Sequence, residues 1–443
     1  MNDSEIDSAV VRTLDTSTAD FQTHFSRLKN RDAETVADVS SVVAEIIASI
    51  RSHGDASLIE YTQKFDRLTV AHASELELDS DRLEQAEASL AQPLRQALID
   101  AQARIRSFHE RQSQDSWEYQ EADGTVLGQR VAAVERAGIY VPGGQASYPS
   151  SVLMTAIAAS VAGVEEIIMV VPAPDGVINE AVLAAARIAG VNRVFRVGGA
   201  QAIAALAYGT ETIPPVDKIV GPGNVYVAEA KRQVFGKVGI DMIAGPSEIL
   251  IIADREADPE WITMDLFAQA EHDELAQSIL VTDSSELISR VKACIEQQLP
   301  AMARSGIIAA SLRDYGAMIK VRNMEEALTI SNSLAPEHLE IMTADARKLA
   351  DGVHNAGAIF IGRHSAEVLG DYCAGPSHVL PTAGTARFSS PLGVYDFQKR
   401  TSIISASPDG ADAMARTAAL LAQSESLEAH ARSARLRISD SSD

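Results

Sequence analysis

Ile167-Ile168-Met169-Val170-Val171 decides the fold. Five apolar residues in a row, most of them β-branched, with no polar alternation, suit a strand buried on both faces. Short apolar runs recur at 194–197 and 219–220, each separated from the last by an Ala-rich helical pattern. This β-α-β alternation predicts a parallel sheet covered by helices on both sides. Working outward, residues 249–253 and 279–281 begin a similar alternation, continued at 358–361. Upstream, residues 34–112 read as helices. Val39, Val42, Val43, Ile46 and Ile50 form one apolar stripe closed by Gly54, and a second long helical pattern covers 81–112. A β-like stretch at 126–140 ends in Val141-Pro142-Gly143-Gly144. From 381 the chain turns Gly-, Ser- and Thr-rich before a helix over 411–435 and a Ser-Asp tail. No solenoid-type repeat is present. The fold class is α/β, with two parallel-sheet units, one inserted in the other.

Composition narrows the function. At 443 residues and 46% apolar, the chain can build more than one domain. Its 38 Lys plus Arg against 61 Asp plus Glu give a net charge of −23, which repels phosphate backbones and argues against nucleic-acid binding. Residues 1–20 are polar and acidic, so no signal peptide is expected. The best membrane candidate, 152–164, is too short and carries Ser and Thr. Cys294 and Cys373 make neither a disulfide framework nor a cysteine-rich zinc site, and a reducing cytoplasm fits them best.

The G-x-G-x-x-G signature of dinucleotide sites is absent. The nearest pieces are Val197-Gly198-Gly199-Ala200-Gln201 and Val220-Gly221-Pro222-Gly223-Asn224, each at a strand-to-helix junction where free amides can accept an anion. The plainer alternative is a pair of tight turns.

Two short segments carry chemistry. In Ala268-Gln269-Ala270-Glu271-His272, Gln269 and His272 are i, i+3 and share a helix face. His272 suits zinc, Gln269 is an unusual ligand, and Asp371 after Gly370 is a third candidate; a surface His, a solvated Gln and a loop Asp are the ordinary readings. In Ala335-Pro336-Glu337-His338-Leu339, Pro336 biases Ala335 toward extended backbone, so the Glu-His pair follows a chain reversal. Imidazole can take a proton from an alcohol while a partly buried carboxylate activates water. A helix start with Glu in its first turn is the alternative. Cys373 sits in an Ala-Gly loop without an activating neighbour and reads as an inert small residue. His378 either lines the same pocket or is structural.

Read together, these motifs resemble the histidinol dehydrogenase family over about residues 34–437. The marks are Gly138-Ile139-Tyr140-Val141-Pro142-Gly143-Gly144, Gly198-Gly199-Ala200-Gln201-Ala202, Gly221-Pro222-Gly223-Asn224 and Ala244-Gly245-Pro246-Ser247-Glu248. The two segments above follow, then Gly370-Asp371-Tyr372, His378-Val379-Leu380-Pro381-Thr382 and Asp396-Phe397-Gln398-Lys399-Arg400, all in the family's order.

The resemblance implies one zinc per subunit, held by Gln269, His272, Asp371 and His430. It implies NAD near Tyr140, Gln201 and Asn224. Ser247, His338 and Glu425 would face the substrate together with the zinc ligands. The C-terminal tail would reach into the partner of a homodimer, bringing Glu425 and His430 to the partner's site. The reaction implied is oxidation of L-histidinol through L-histidinal to L-histidine with two NAD, in histidine biosynthesis, with no membrane or nucleic-acid partner. His338 is assigned as general base and Glu337 as the group that activates water, while zinc anchors the substrate. The units are then Rossmann-like, with helical N- and C-terminal extensions. Their expected division is a 1–33 extension, a larger domain of 34–138 and 247–390 with the metal and catalytic residues, an inserted NAD-binding domain of 139–246, and a 391–443 tail. Two other readings compete. One is a related zinc- and NAD-dependent dehydrogenase acting on another small alcohol such as a sulfonated diol, against which the Glu425 carboxylate argues. The other is a non-catalytic metal sensor, which the Glu337-His338 pair disfavours.

Overall fold

The computed structural model describes residues 11–29, 36–143 and 148–439. Its strands, in chain order, are β1 (Arg12–Asp15), β2 (Glu77–Leu78), β3 (Trp117–Gln120), β4 (Val126–Ala133), β5 (Arg136–Tyr140), β6 (Glu166–Val170), β7 (Arg193–Phe195) and β8 (Lys218–Val220). They continue as β9 (Gly239–Ile240), β10 (Glu248–Ala253), β11 (Gln277–Thr282), β12 (Ala317–Lys320), β13 (His338–Met342), β14 (Ala358–Ile361) and β15 (Gln398–Ser405). One sheet has the order β1-β12-β11-β10-β13-β14 and is parallel throughout. A second has the order β2-β7-β6-β5-β8-β9, parallel except where β2 meets β7. A third, β15-β4-β3, is antiparallel.

The 167–171 run is apolar throughout because both of its faces are covered. Ile167, Met169 and Val171 join one core with the helices Pro149–Ala162 and Glu180–Ala189. Ile168 and Val170 join the core on the other face with Gly199–Tyr208 and Val36–His53. In the first sheet β10 alternates the same way, with Ile249 and Ile251 on one side and Leu250 and Ile252 on the other. Pairing aligns Ile249 with His338 and Ile251 with Glu340, so both polar residues of β13 face the Pro259–Ala270 helix.

Several expectations are corrected. The 1–33 extension is not only helical: β1 forms the edge of the first sheet beside β12. The 34–138 segment packs chiefly with the second sheet, although Val379 of 247–390 shares one of its cores. Val39 to Leu76 lie in one of that sheet's cores, Leu83 to Ile105 lie in the other, and β2 pairs with β7. An amphipathic stripe shows that a helix is buried on one side but not which sheet it covers. The boundary at 138 would cut β5, and β15 holds part of the 391–443 segment on β4 of its own chain. The second sheet's strands nonetheless all fall between β1 and β10.

Within elements, Val42 is 42% exposed, and Ile47 takes its place in the buried stripe. The 81–112 helix is two, Ser80–Ser89 and Gln92–His109, with Pro93 starting the second. The 411–435 helix is also two, Pro408–Ser424 and Glu428–Arg435, separated where Ser426 turns to φ 61°. Among the described residues, no helix is long and apolar enough to cross a membrane.

Candidate active site

The chain reversal before β13 differs in detail from expectation. Ala335 is not extended; it ends the Met324–Leu334 helix in the left-handed region at φ 51° and ψ 60°. Its amide bonds Ser331 at 2.8 Å, a helix-terminating bond that outweighs the bias from Pro336. A strand rather than a helix follows, so Glu337 and His338 stand at the start of β13, buried to 5% and 4% exposure.

The imidazole of His338 is oriented by its neighbours. Nδ1 lies 3.0 Å from the carbonyl oxygen of Glu248, an acceptor only, so Nδ1 carries the proton. Nε2 is buried without a hydrogen-bond partner, 3.6 Å from Asp371 Oδ1, which is an ion-pair distance. Glu367 approaches Nδ1 at 3.3 Å and Glu337 at 3.8 Å. Burial alone would depress this imidazole, but the Glu367, Glu337 and Asp371 carboxylates reverse the effect and raise it well above its ordinary value. The backbone N–H of Glu248 donates to Glu337 Oε2 at 2.9 Å, aiming that carboxyl group, and burial pushes it up to about 8.

Gln269 lies near the end of the Pro259–Ala270 helix, and His272 lies just beyond it. Gln269 Nε2 and His272 Nδ1 are 3.3 Å apart, and Gln269 Oε1 is buried without a partner. Two ligands on one tetrahedral zinc sit about 3.4 Å apart, and turning the amide over would present its oxygen at this position. Burial depresses His272, keeping the neutral form that binds metal. Asp371 lies in the Glu367–Tyr372 helix rather than in a loop. Burial would raise it, but His338, His378 and His272 together bring it below its ordinary value. His338, Glu367 and Asp371 offer ligand atoms within 4.8 Å of one another. The orphaned amide oxygen, neutral imidazole and ionised carboxylate therefore fit a divalent cation. Such a cation would offset the carboxylate charge that holds a proton on His338.

Glu425 and His430 are not brought to this cluster within the chain. Both are exposed on the tail, without a hydrogen bond or ion pair to any member. Ser247 stands half-buried just before β10, its carbonyl accepting the Gln277 N–H at 2.9 Å.

The residues expected near NAD gather at the other sheet. Tyr140 ends β5, and its buried hydroxyl accepts the Gly199 N–H at 3.2 Å. That amide is therefore already occupied by the protein, and burial pushes the phenol up to about 12. Gln201 is 1% exposed, with neither amide atom partnered. Asn224 caps the Val225–Val234 helix through Tyr226 and Val227. From β5 the chain runs to β6 and β7 on one side, and β8 and β9 lie on the other. Tyr140 and Asn224 thus flank a topological switch point.

Sequence reasoning missed Glu367, Glu340 and Ser151. Glu340 Oε1 accepts the Glu367 N–H at 2.6 Å and fixes the start of the Asp371-bearing helix. Burial raises Glu340 and takes Asp265 beside it to about 6. The i, i+4 spacing of Glu367 and Asp371, and the i, i+2 spacing of His338 and Glu340, were the available signals. His378 links the two units, with Nδ1 donating to the Asp371 carbonyl at 2.8 Å and Nε2 lying 3.0 Å from Ser151 Oγ.

A sequence model of the family described as histidinol dehydrogenase matches residues 29–438. A histidinol dehydrogenase of Pseudomonas syringae pv. tomato is 60% identical over 430 residues, covering 97% of this chain and 96% of that one. One from Cupriavidus pinatubonensis is 57% identical over 441 residues, covering 99% of each. The crystal structure of the enzyme from Elizabethkingia anophelis superposes with a TM-score of 0.91 at 33% identity, covering 97% of this chain and 98% of that one.

Proposed function

The chain belongs to the histidinol dehydrogenase family, and on that premise we propose that it oxidises L-histidinol through L-histidinal to L-histidine with two NAD, in histidine biosynthesis. One observation carries the reading: a buried imidazole nitrogen without a partner, His338 Nε2, faces Asp371 beside Gln269 and His272.

His338 Nε2 accepts the hydroxyl proton of the alcohol, while the Glu248 carbonyl holds Nδ1 and fixes the ring. Glu337, held by the Glu248 amide and in its ionised form, takes a proton from the water that adds to the aldehyde, while protonated His338 returns its proton to the aldehyde oxygen and is a base again. His338 then removes a hydroxyl proton from the hydrate, and the carboxylic acid product ionises. Each oxidation withdraws two electrons, so water supplies the second oxygen of the product and no thiol is needed. NAD supplies the hydride acceptor for each oxidation, and we place it against Tyr140, Gln201 and Asn224. Gln269, His272, Asp371 and His430 of the partner subunit would hold zinc, which would supply an anchor for the substrate. Exposed Glu425 and His430, together with tail leucines such as Leu420 and Leu421, 69% and 59% exposed, support a homodimer completed by exchanged tails. The test is turnover of L-histidinol beside a sulfonated diol by zinc-loaded protein. NAD reduction with L-histidinol is expected; reduction with the diol alone overturns the assignment.

A further inference from the structure

Lys231 and Asp241 form an ion pair almost sealed from solvent, their side chains 3% and 1% exposed. A buried ion pair is weak evidence for stability, because loss of hydration offsets the attraction and an apolar pair often serves as well. Here both charges converge on one residue. Asp241 Oδ2 accepts the N–H of Gly221 at 2.8 Å, and Lys231 Nζ donates to the Gly221 carbonyl at 2.9 Å. The peptide groups on both sides of Gly221 are therefore each tied to one member of the pair.

Gly221 needs that restraint. Its φ is +110°, and a Cβ there would collide with the Tyr140 carbonyl oxygen at the end of β5. Pro222 follows with its ring-fixed φ, then Gly223, where a Cβ would collide with Val227. Asn224 comes next and accepts the Tyr226 and Val227 amides at 3.1 Å. Lys231 lies on the helix that Asn224 begins, and Asp241 directly follows β9. The pair thus ties the end of β8, this helix and the chain after β9 to one turn beside Tyr140.

We propose that Lys231 and Asp241 are positioning residues for NAD, locking residues 221–224 in the conformation that receives it; this rests on the placement of NAD at Tyr140, Gln201 and Asn224. Neither side chain touches the nucleotide. The clamp acts through the backbone of Gly221.

The test is the NAD dissociation constant by titration calorimetry, with NAD and L-histidinol KM and melting temperature measured on the same protein. Lys231→Met should weaken NAD binding about tenfold or more and raise NAD KM in parallel, with L-histidinol KM unchanged. Lys231→Arg, which keeps a donor, should recover part of the affinity. Asp241→Asn keeps volume and an acceptor for Gly221, and should weaken NAD in the same direction should Lys231→Met fail to fold. A lower melting temperature with unchanged NAD affinity in the folded variants overturns the clamp. Asn224→Ala separates the two levels: unchanged affinity there overturns the NAD placement and the clamp together. Weakened affinity there with none in Lys231→Met overturns the clamp alone.

Discussion

His338 donates its Nδ1 proton to the carbonyl oxygen of Glu248 across 3.0 Å, which leaves Nε2, without a hydrogen-bond partner, as the ring atom that faces Asp371. That carbonyl belongs to β10 and His338 to the neighbouring β13, so the ring is oriented by the sheet itself. His338→Gln should lower kcat by on the order of a hundredfold to ten-thousandfold. Zinc content should stay at the wild-type level, because His338 lies outside the proposed ligand set. Loss of zinc in elemental analysis would move His338 among the ligands.

Glu337→Gln separates the two halves of the reaction. The amide keeps the acceptor for the Glu248 N–H but cannot take a proton from water. Oxidation of supplied L-histidinal should fall far more than reduction of the first NAD. Wild-type turnover of the aldehyde would remove Glu337 from its role.

His272→Asn should strip the metal. It replaces an imidazole that burial keeps neutral and that lies 3.3 Å from the Gln269 amide. The expected result is protein with little zinc by elemental analysis and an unaltered far-ultraviolet dichroism spectrum. Full occupancy would contradict the ligand assignment.

Exchange of subunits tests the tail. A His338→Gln chain and a His430→Ala chain, each inactive alone, should regain part of the wild-type activity when mixed and refolded together. A mixed dimer joins one intact His338 to one intact His430. No recovery after verified exchange would place the whole site within a single chain.

How far the sequence could be read follows from burial. The 167–171 strand was legible because a strand covered on both faces has no polar alternation to hide it. The Val36–His53 helix was equally legible, but its partner sheet was not, since a stripe of Val and Ile fits either sheet. β1 escaped because a four-residue edge strand in an acidic segment carries no pattern. Glu337 and His338 announced themselves through Pro336. Glu340 and Glu367 did not, because a lone Glu ordinarily reads as solvated and these two are 1% exposed. Glu425 and His430 are exposed in the single chain, so their roles came from family resemblance alone.

The most direct measurement is NADH formed per molecule of limiting L-histidinol by the zinc-loaded protein. Two equivalents, with L-histidine as product, are predicted. One equivalent with accumulating aldehyde, or none from folded and zinc-loaded protein, would contradict the four-electron reaction assigned to this site.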